Sequence, residues 1–355
     1  MRTLLITPEL LTSNGGIPRI MRLYARALSD MPRESGSFAF LSLGDHTVDS
    51  TDLRRYTGDN LSTWAISSGH RGRFIKRALR WAGRFDHVIC GHIHLLPVAR
   101  TMKLLNPRLT YDLVAHGIEV WTKPSLLQRL ALRSVRKALC VSDYTRKRLI
   151  EVSGLSESKT LVLHNGLDSC FPILETASEP PSPPLVLTVS RLCKSDDYKG
   201  IDHLIGAMVL LRKKIPSARL RIIGAGDDMR RLRRLAEKEG LSACVEMPGH
   251  VSDADLSRSF AECSAFALPS TGEGFGLVFI EAMAQGRPCL GVTAGGVPEV
   301  ITKESGVLVA PRDPKAIAEG LDQILTSRWN RQAILARARE FSYGNFKAHL
   351  HAALP

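Results

Sequence analysis

Short aliphatic and β-branched runs recur along the chain, and a longer stretch with apolar residues at helical spacing follows each of them. In the first half the runs at 3–7, 38–43, 87–90, 111–115, 139–142 and 160–163 read as strands. In the second half the rhythm returns at 185–189, 219–223, 245–247, 265–268, 288–292 and 307–309. Strands that alternate with helical stretches of this length predict parallel, doubly wound α/β sheets, here two of them. Between the two series, 174–184 carries Glu-Pro-Pro-Ser-Pro-Pro and no hydrophobic period, so it is expected to be a stiff linker. The predicted domains are therefore 1–175 and 184–341. The final helix, about 342–355, has no strand after it and is expected to cross back onto the first domain. Two such sheets are expected to turn their strand C-termini toward one crevice, where ligands of open α/β sheets bind.

Composition narrows the class. With 44% hydrophobic and 23% charged residues the chain has the balance of an ordinary globular protein. Its seven cysteines, at 90, 140, 170, 193, 244, 263 and 289, never fall into C-x-x-C spacing, so they read as reduced thiols rather than metal or redox pairs. No apolar run approaches a membrane span or a signal-peptide core, which predicts a cytoplasmic protein. Net charge is +13. Residues 1–180 contribute 25 Lys and Arg against 16 Asp and Glu, or +9, whereas 181–355 contribute 23 against 19, or +4. An excess concentrated in the first half points to an acidic partner on that side. Nucleic acid is not expected, because no recognition helix, aromatic RNA-binding pair or zinc finger is present and aromatic residues are only 6%.

The most informative segment is Ser270-Thr-Gly-Glu-Gly-Phe-Gly-Leu-Val-Phe-Ile-Glu-Ala-Met, which follows a strand and opens a helix. Gly274 and Gly276 allow close backbone approach, and the free N–H groups at the helix start, around Phe275 and Leu277, suit the oxygens of a diphosphate. Glu273 and Glu281 stand eight apart. Glu281 lies in the apolar run 277–283, where a carboxylate is costly unless it meets a polar partner such as vicinal ribose hydroxyls.

On these residues the sequence resembles the GT-B-fold retaining glycosyltransferases of family 4, whose E-x7-E motif matches Glu273 and Glu281. The resemblance implies that Glu273 holds donor-sugar hydroxyls and Glu281 the nucleotide ribose. It also implies that Arg191 and Lys199, in Ser190-Arg191-Leu192 and Tyr198-Lys199-Gly200, neutralise the donor diphosphate. The physics agrees, since the leaving nucleotide gains negative charge in the transition state. Gly15 and Gly16, in Asn14-Gly15-Gly16, match the family loop that faces diphosphate and sugar. His116, followed by Gly117 at the end of a strand, matches the histidine near the donor sugar. Gly224 lies in a Gly-Ala-Gly turn that resembles the family turn near the diphosphate, which implies at most a secondary contact there, and Met229 stands where a dinucleotide fingerprint has its third glycine. Pro248-Gly249-His250-Val251 resembles the loop whose backbone, at Gly249 and Val251, reads the base.

Asp253-Ala254-Asp255 has the D-x-D pattern of a metal-dependent fold, yet Ser252 ahead of it reads as a helix cap, so no metal is expected there. The resemblance implies metal-free transfer with retention through an oxocarbenium-like, front-face transition state, from a UDP- or GDP-hexose to a saccharide or lipid-linked acceptor. Two alternatives stay open: a nucleotide-sugar epimerase on the same fold, and a non-catalytic basic protein that binds membrane or nucleic acid. Residues 73–85 separate cleanly at about 100° per residue. Arg73, Lys76, Arg77, Arg80 and Arg84 share one arc, opposite Phe74, Ile75, Ala78, Leu79, Trp81 and Phe85. That arc is expected to be an acceptor-side patch for an anionic membrane surface, which would make the protein peripheral at the inner face of the membrane.

Overall fold

The computed structural model describes residues 1–355 other than Asn14, Arg33, Ser35, Asp59, Ala177, Ser178 and Pro180. It divides into two compact units, Met1–Ser169 with Ser342–Pro355, and Cys170–Phe341. Asn14, the first residue of the predicted diglycine loop, lies outside the described residues.

The first unit runs β1 (Arg2–Thr7), α1 (Gly16–Ser29), β2 (Ser37–Ser42), α2 (Ser50–Thr57), β3 (Leu61–Ile66), α3 (Arg71–Trp81) and β4 (His87–Cys90). It continues with α4 (Leu96–Leu105), β5 (Thr110–Ala115), α5 (Leu126–Leu132), β6 (Ala138–Cys140), α6 (Asp143–Ser153) and β7 (Thr160–Val162). Its seven strands are parallel in the order β3-β2-β1-β4-β5-β6-β7. The sequence reading missed β3. As an edge strand it pairs only with β2, leaves Trp64 40% exposed and buries only Ala65 fully, so its Ser and Thr positions hide the apolar run.

Strand residues pointing to one face, among them Leu4, Ile6, Leu41, Val88 and Leu113, share a single core with Phe74, Ala78 and Trp81 of α3, Leu96 and Met102 of α4, and Leu132 of α5. These three helices therefore form one layer on one side of the sheet. Ile75, placed by the sequence with the packed side of α3, is 42% exposed. It sits about 100° around the helix from Phe74, at the flank of the packed stripe. The regular helix ends at Trp81, so exposed Arg84 lies in the short helical turn Ala82–Arg84 that follows.

The second unit runs β8 (Leu185–Val189), α7 (Ile201–Lys214), β9 (Arg219–Ile223), α8 (Met229–Lys238), β10 (Val245–Gly249), α9 (Asp253–Glu262) and β11 (Ala265–Ala267). After these come α10 (Leu277–Ala284), β12 (Cys289–Val292), β13 (Gly306–Val309), α11 (Pro314–Thr326) and α12 (Arg331–Glu340). Six parallel strands take the order β10-β9-β8-β11-β12-β13. The stretch expected as a linker packs along this unit. Leu174 N–H donates to Ala284 O at 3.0 Å, the Gln332 amide to Glu175 O at 3.1 Å, and Arg331 pairs with Glu179 at 2.9 Å.

The last helix, α13 (Tyr343–Ala353), belongs to the first unit. Phe346 is buried edge-on against Tyr24, with centroids 5.2 Å apart. Tyr343 donates to Asp30 at 2.7 Å, His351 Nε2 donates to Ala27 O at 2.6 Å, and Arg136 reaches Ala353 O at 2.7 Å. Burying one Phe side chain is worth about 1.5–3 kcal/mol, so these contacts amount to a stable docking of the C-terminus on α1.

Candidate active site

In the second sheet the strand order reverses between β8 and β11, and the loops that leave these two strands carry most of the expected donor residues. Lys199, at the end of the β8 loop, lies 2.5 Å from Glu273 Oε1 in the β11 loop, with the two side chains only 17% and 12% exposed. Burial, the largest single influence on the Lys199 ammonium, pushes its pKa down. The Glu273 carboxylate, helped by Tyr198 and Asp196, outweighs burial and holds it above the usual lysine value. Arg191, 66% exposed, pairs with the buried carboxylate of Asp196 at 3.0 Å. The Cys193–Asp197 insertion thus supplies the carboxylate that braces Arg191.

Backbone contacts knit the loops around this pair. Thr271 N–H donates to Tyr198 O at 2.8 Å, and a Cβ on Gly200 would come within 2.7 Å of Pro269 O. Gly296 N–H donates to Glu273 O at 2.8 Å, and a Cβ on Gly295, which has φ +60°, would stand 2.3 Å from the same oxygen. Gly224 N–H donates to Gly249 O at 2.9 Å, and Gly224 itself presses on Ser190 O. The paired glycines 295 and 296 were missed in the sequence, although they repeat the strand-glycine-glycine signal of Gly15-Gly16.

Gly276 caps α10 at φ +92°, a conformation that favours glycine, and offers no side chain to the helix start. Phe275 turns inward, 2% exposed, onto Phe341. Leu277 and Val251 are half-buried, and Glu281 is 2% exposed within α10. Ser252 accepts from Asp255 N–H at 3.1 Å and so caps α9, with Asp255 paired to Arg258.

In the first sheet the order reverses between β1 and β4. The loop after β1 is held by the buried Asp45 carboxylate, which accepts from the N–H groups of Leu10, Leu11 and Thr12 at 2.9, 3.0 and 2.7 Å. Gly15 then caps α1 at φ −67°, and a Cβ on Gly16 would meet nothing within 4 Å. The chain's own packing therefore does not demand glycine at either position. His116, 8% exposed, donates from Nε2 to Gly91 O at 2.8 Å, while its own N–H binds Glu119 at 2.6 Å. This bond fixes the tautomer and leaves Nδ1 as a buried acceptor with no hydrogen-bond partner among the described residues.

His92, absent from the sequence reading, adjoins this histidine. Its Nδ1 accepts from His94 N–H at 3.2 Å, and the two rings lie 4.7 Å apart. Burial, then the neighbouring His116 and His94, lower its pKa to about 4. The unfolded imidazole takes a proton near 6.5 and the folded one only near 4, so its neutral burial opposes folding increasingly as pH falls through that window. Above pH 6.5 the effect vanishes. His92→Gln is expected to flatten the parent's loss of thermal stability between pH 6.5 and 4, read as the difference between the two Tm–pH curves. Parallel curves would refute a neutral, half-buried His92.

Residues 174–341 match the model of the family Glycosyl transferases group 1. They form a group 1 domain. Among curated proteins, the GDP-mannose-dependent alpha-(1-6)-phosphatidylinositol monomannoside mannosyltransferase of Mycobacterium tuberculosis is 29% identical over 64% of this chain and 63% of its own length. The putative colanic acid biosynthesis glycosyltransferase WcaL of Escherichia coli is 31% identical over 64% and 58%. The chain spans about three fifths of the length of such relatives. Among solved structures, Anabaena Alr3699/HepE in complex with UDP and glucose has a TM-score of 0.77, with 18% identity and 99% of each chain covered. The sucrose-phosphate synthase of Thermosynechococcus elongatus also scores 0.77, at 19% identity, over 99% of this chain and 98% of its own. The fold is GT-B, and Lys199, Glu273 and Glu281 all fall inside the group 1 domain.

Proposed function

We propose that this chain is a retaining, metal-independent glycosyltransferase that moves a hexose from a UDP- or GDP-sugar to a saccharide or lipid-linked acceptor. The observation that carries the reading is the paired Lys199 and Glu273 at the strand-order reversal of the group 1 domain, three residues ahead of the glycine-capped start of α10. A cation, a carboxylate and a helix N-terminus together suit a sugar diphosphate: the helix start and Lys199 meet phosphate oxygens, and the carboxylate accepts from sugar hydroxyls. Arg191 adds charge, Glu281 receives ribose hydroxyls, and the backbone at Gly224, Gly249 and Val251 serves the nucleotide. In the first unit, the open space at Gly16 beside Gly15 and the unfilled acceptor on His116 Nδ1 support sugar and phosphate contacts there. Similarity to proteins whose names specify GDP-mannose and UDP with glucose supports both donor bases.

In the reaction the bond between the anomeric carbon and the phosphate oxygen breaks, the acceptor oxygen bonds to that carbon on the same face, and the acceptor proton leaves with the departing phosphate. The protein contributes positioning and charge stabilisation. Because Arg191 and Lys199 supply the positive charge, transfer activity is expected to survive EDTA. Loss of activity on chelation, restored by manganese or magnesium, would return Asp253 and Asp255 to the site as ligands. A product formed from donor alone, without any acceptor, would favour the epimerase.

A further inference from the structure

Residues 71–137 hold 14 Lys and Arg against three acids. All three acids are engaged: Asp86 pairs with Arg2 at 2.7 Å, Asp112 lies buried with His87 and Arg136, and Glu119 accepts from His116 N–H. No acidic residue occurs within α3, α4 or α5. The next helix, α6, differs, because Asp143 and Glu151 pair there with Arg146, Lys147 and Arg148. Since α3, α4 and α5 share one core on one sheet face, their outward sides make a continuous layer without negative charge of its own.

The same layer carries five of the nine large apolar side chains that stand exposed among the described residues. Ile75 is 42% exposed on α3, Leu104 and Leu105 are 66% and 62% exposed at the end of α4, and Leu126 and Leu127 are 69% and 64% exposed at the start of α5. Single exposed leucines need no explanation, whereas adjacent pairs inside a basic field do. Helices α4 and α5 both run back from the strand C-termini, so the pairs mark opposite ends of the layer. A surface lying flat against the layer would touch both.

We propose that the outward side of α3, α4 and α5 docks on an anionic lipid bilayer, its cations meeting lipid phosphates and its two leucine pairs entering the interfacial zone. No described helix is long and apolar enough to cross a membrane; the docking proposed here is contact with the bilayer surface. Nucleic acid would use the cations but has no use for four exposed leucines. The proposal rests on the glycosyltransferase reading only for its purpose, which is to bring the enzyme to a lipid-linked acceptor.

The test is co-sedimentation of the full chain with phosphatidylcholine vesicles, with and without phosphatidylglycerol, at low and high salt. Anion-dependent binding is expected in the parent. Reversing Arg77, Arg80 and Arg84 to Glu is expected to weaken it about a hundredfold or more, since each cation contributes about 1 kcal/mol near such a surface. Leu126→Ser with Leu127→Ser, and the matching Leu104 and Leu105 pair, are each expected to cost about tenfold and to remove the salt-resistant part of binding. Unchanged UDP or GDP affinity in every variant checks that each is folded. The proposal is overturned if the parent ignores phosphatidylglycerol, if the leucine variants bind as the parent does, or if single-stranded DNA binds as tightly as vesicles and competes with them. Vesicle binding without sugar transfer would leave this surface standing and remove the proposed activity; transfer without vesicle binding would do the reverse.

Discussion

Replacing Glu281 by alanine is expected to weaken nucleoside diphosphate binding about ten- to a hundredfold, the worth of one or two hydrogen bonds to a charged acceptor. Replacing Glu273 is expected to leave that affinity near the parent's while lowering kcat/KM with a sugar donor about a hundredfold or more. The split follows from position. Glu281 is 2% exposed and lies within α10, eight residues on from Glu273 and in the helix rather than the loop. Glu273 lies in the loop beyond β11, its backbone clamped by Gly296 and its side chain by Lys199. Calorimetry with UDP and GDP separates the two. Glu281→Gln keeps the shape and one carbonyl acceptor, so it should bind more tightly than the alanine variant; if it does not, packing rather than ribose recognition explains Glu281. Equal, parental nucleotide affinity in both alanine variants would remove the assignment altogether.

What the sequence made legible follows from what is local. Strands buried on both faces, such as β1, β8 and β12, appear as short runs dominated by aliphatic residues, because helices cover both sides of a parallel sheet. Edge strand β3 does not, since its outer positions face water and tolerate Ser62 and Trp64. The β11 loop and the start of α10 were readable because glycines at every second position and a carboxylate in an apolar run are anomalies in one dimension. The bracing of those residues was not. That Asp196 holds Arg191, that Gly295 and Gly296 hold Glu273, and that Asp45 gathers three N–H groups of the β1 loop are long-range pairings with no periodic signature. His92 escaped for the same reason: its character comes from partial burial beside His116, in the loop after a different strand. The leucine pairs of α4 and α5 escaped for another. Taken alone, they look like core residues, and only the placement of Phe74, Met102 and Leu132 beneath the layer shows that they point away from it.

Lys199→Ala is expected to lower kcat about a hundred- to a thousandfold, by removing the group assigned to the charge that develops on the leaving phosphate. Stability should fall as well. The pair with Glu273 is mostly buried but not sealed, so the cost lies between that of exposed pairs and that of fully buried ones, roughly 2 kcal/mol. Two features separate a catalytic role from a structural one. Lys199 is held above the usual lysine pKa, so it stays charged throughout an ordinary assay range and no ionisation of it should appear in the pH–rate profile below about pH 10. Lys199→Arg should therefore recover much of the stability, while recovering activity only as far as a longer, planar cation can reach the same phosphate oxygens. The double variant with Glu273→Ala sharpens the comparison. In stability the two changes should be less than additive, because removing both partners leaves no uncompensated charge. In kcat the double variant should be no better than the worse single one if the two groups act on one bound donor. A Lys199→Ala enzyme that is less stable yet turns over at the parental rate would show that the lysine serves only to hold Glu273 in place, and the positive charge for the leaving group would then fall to Arg191.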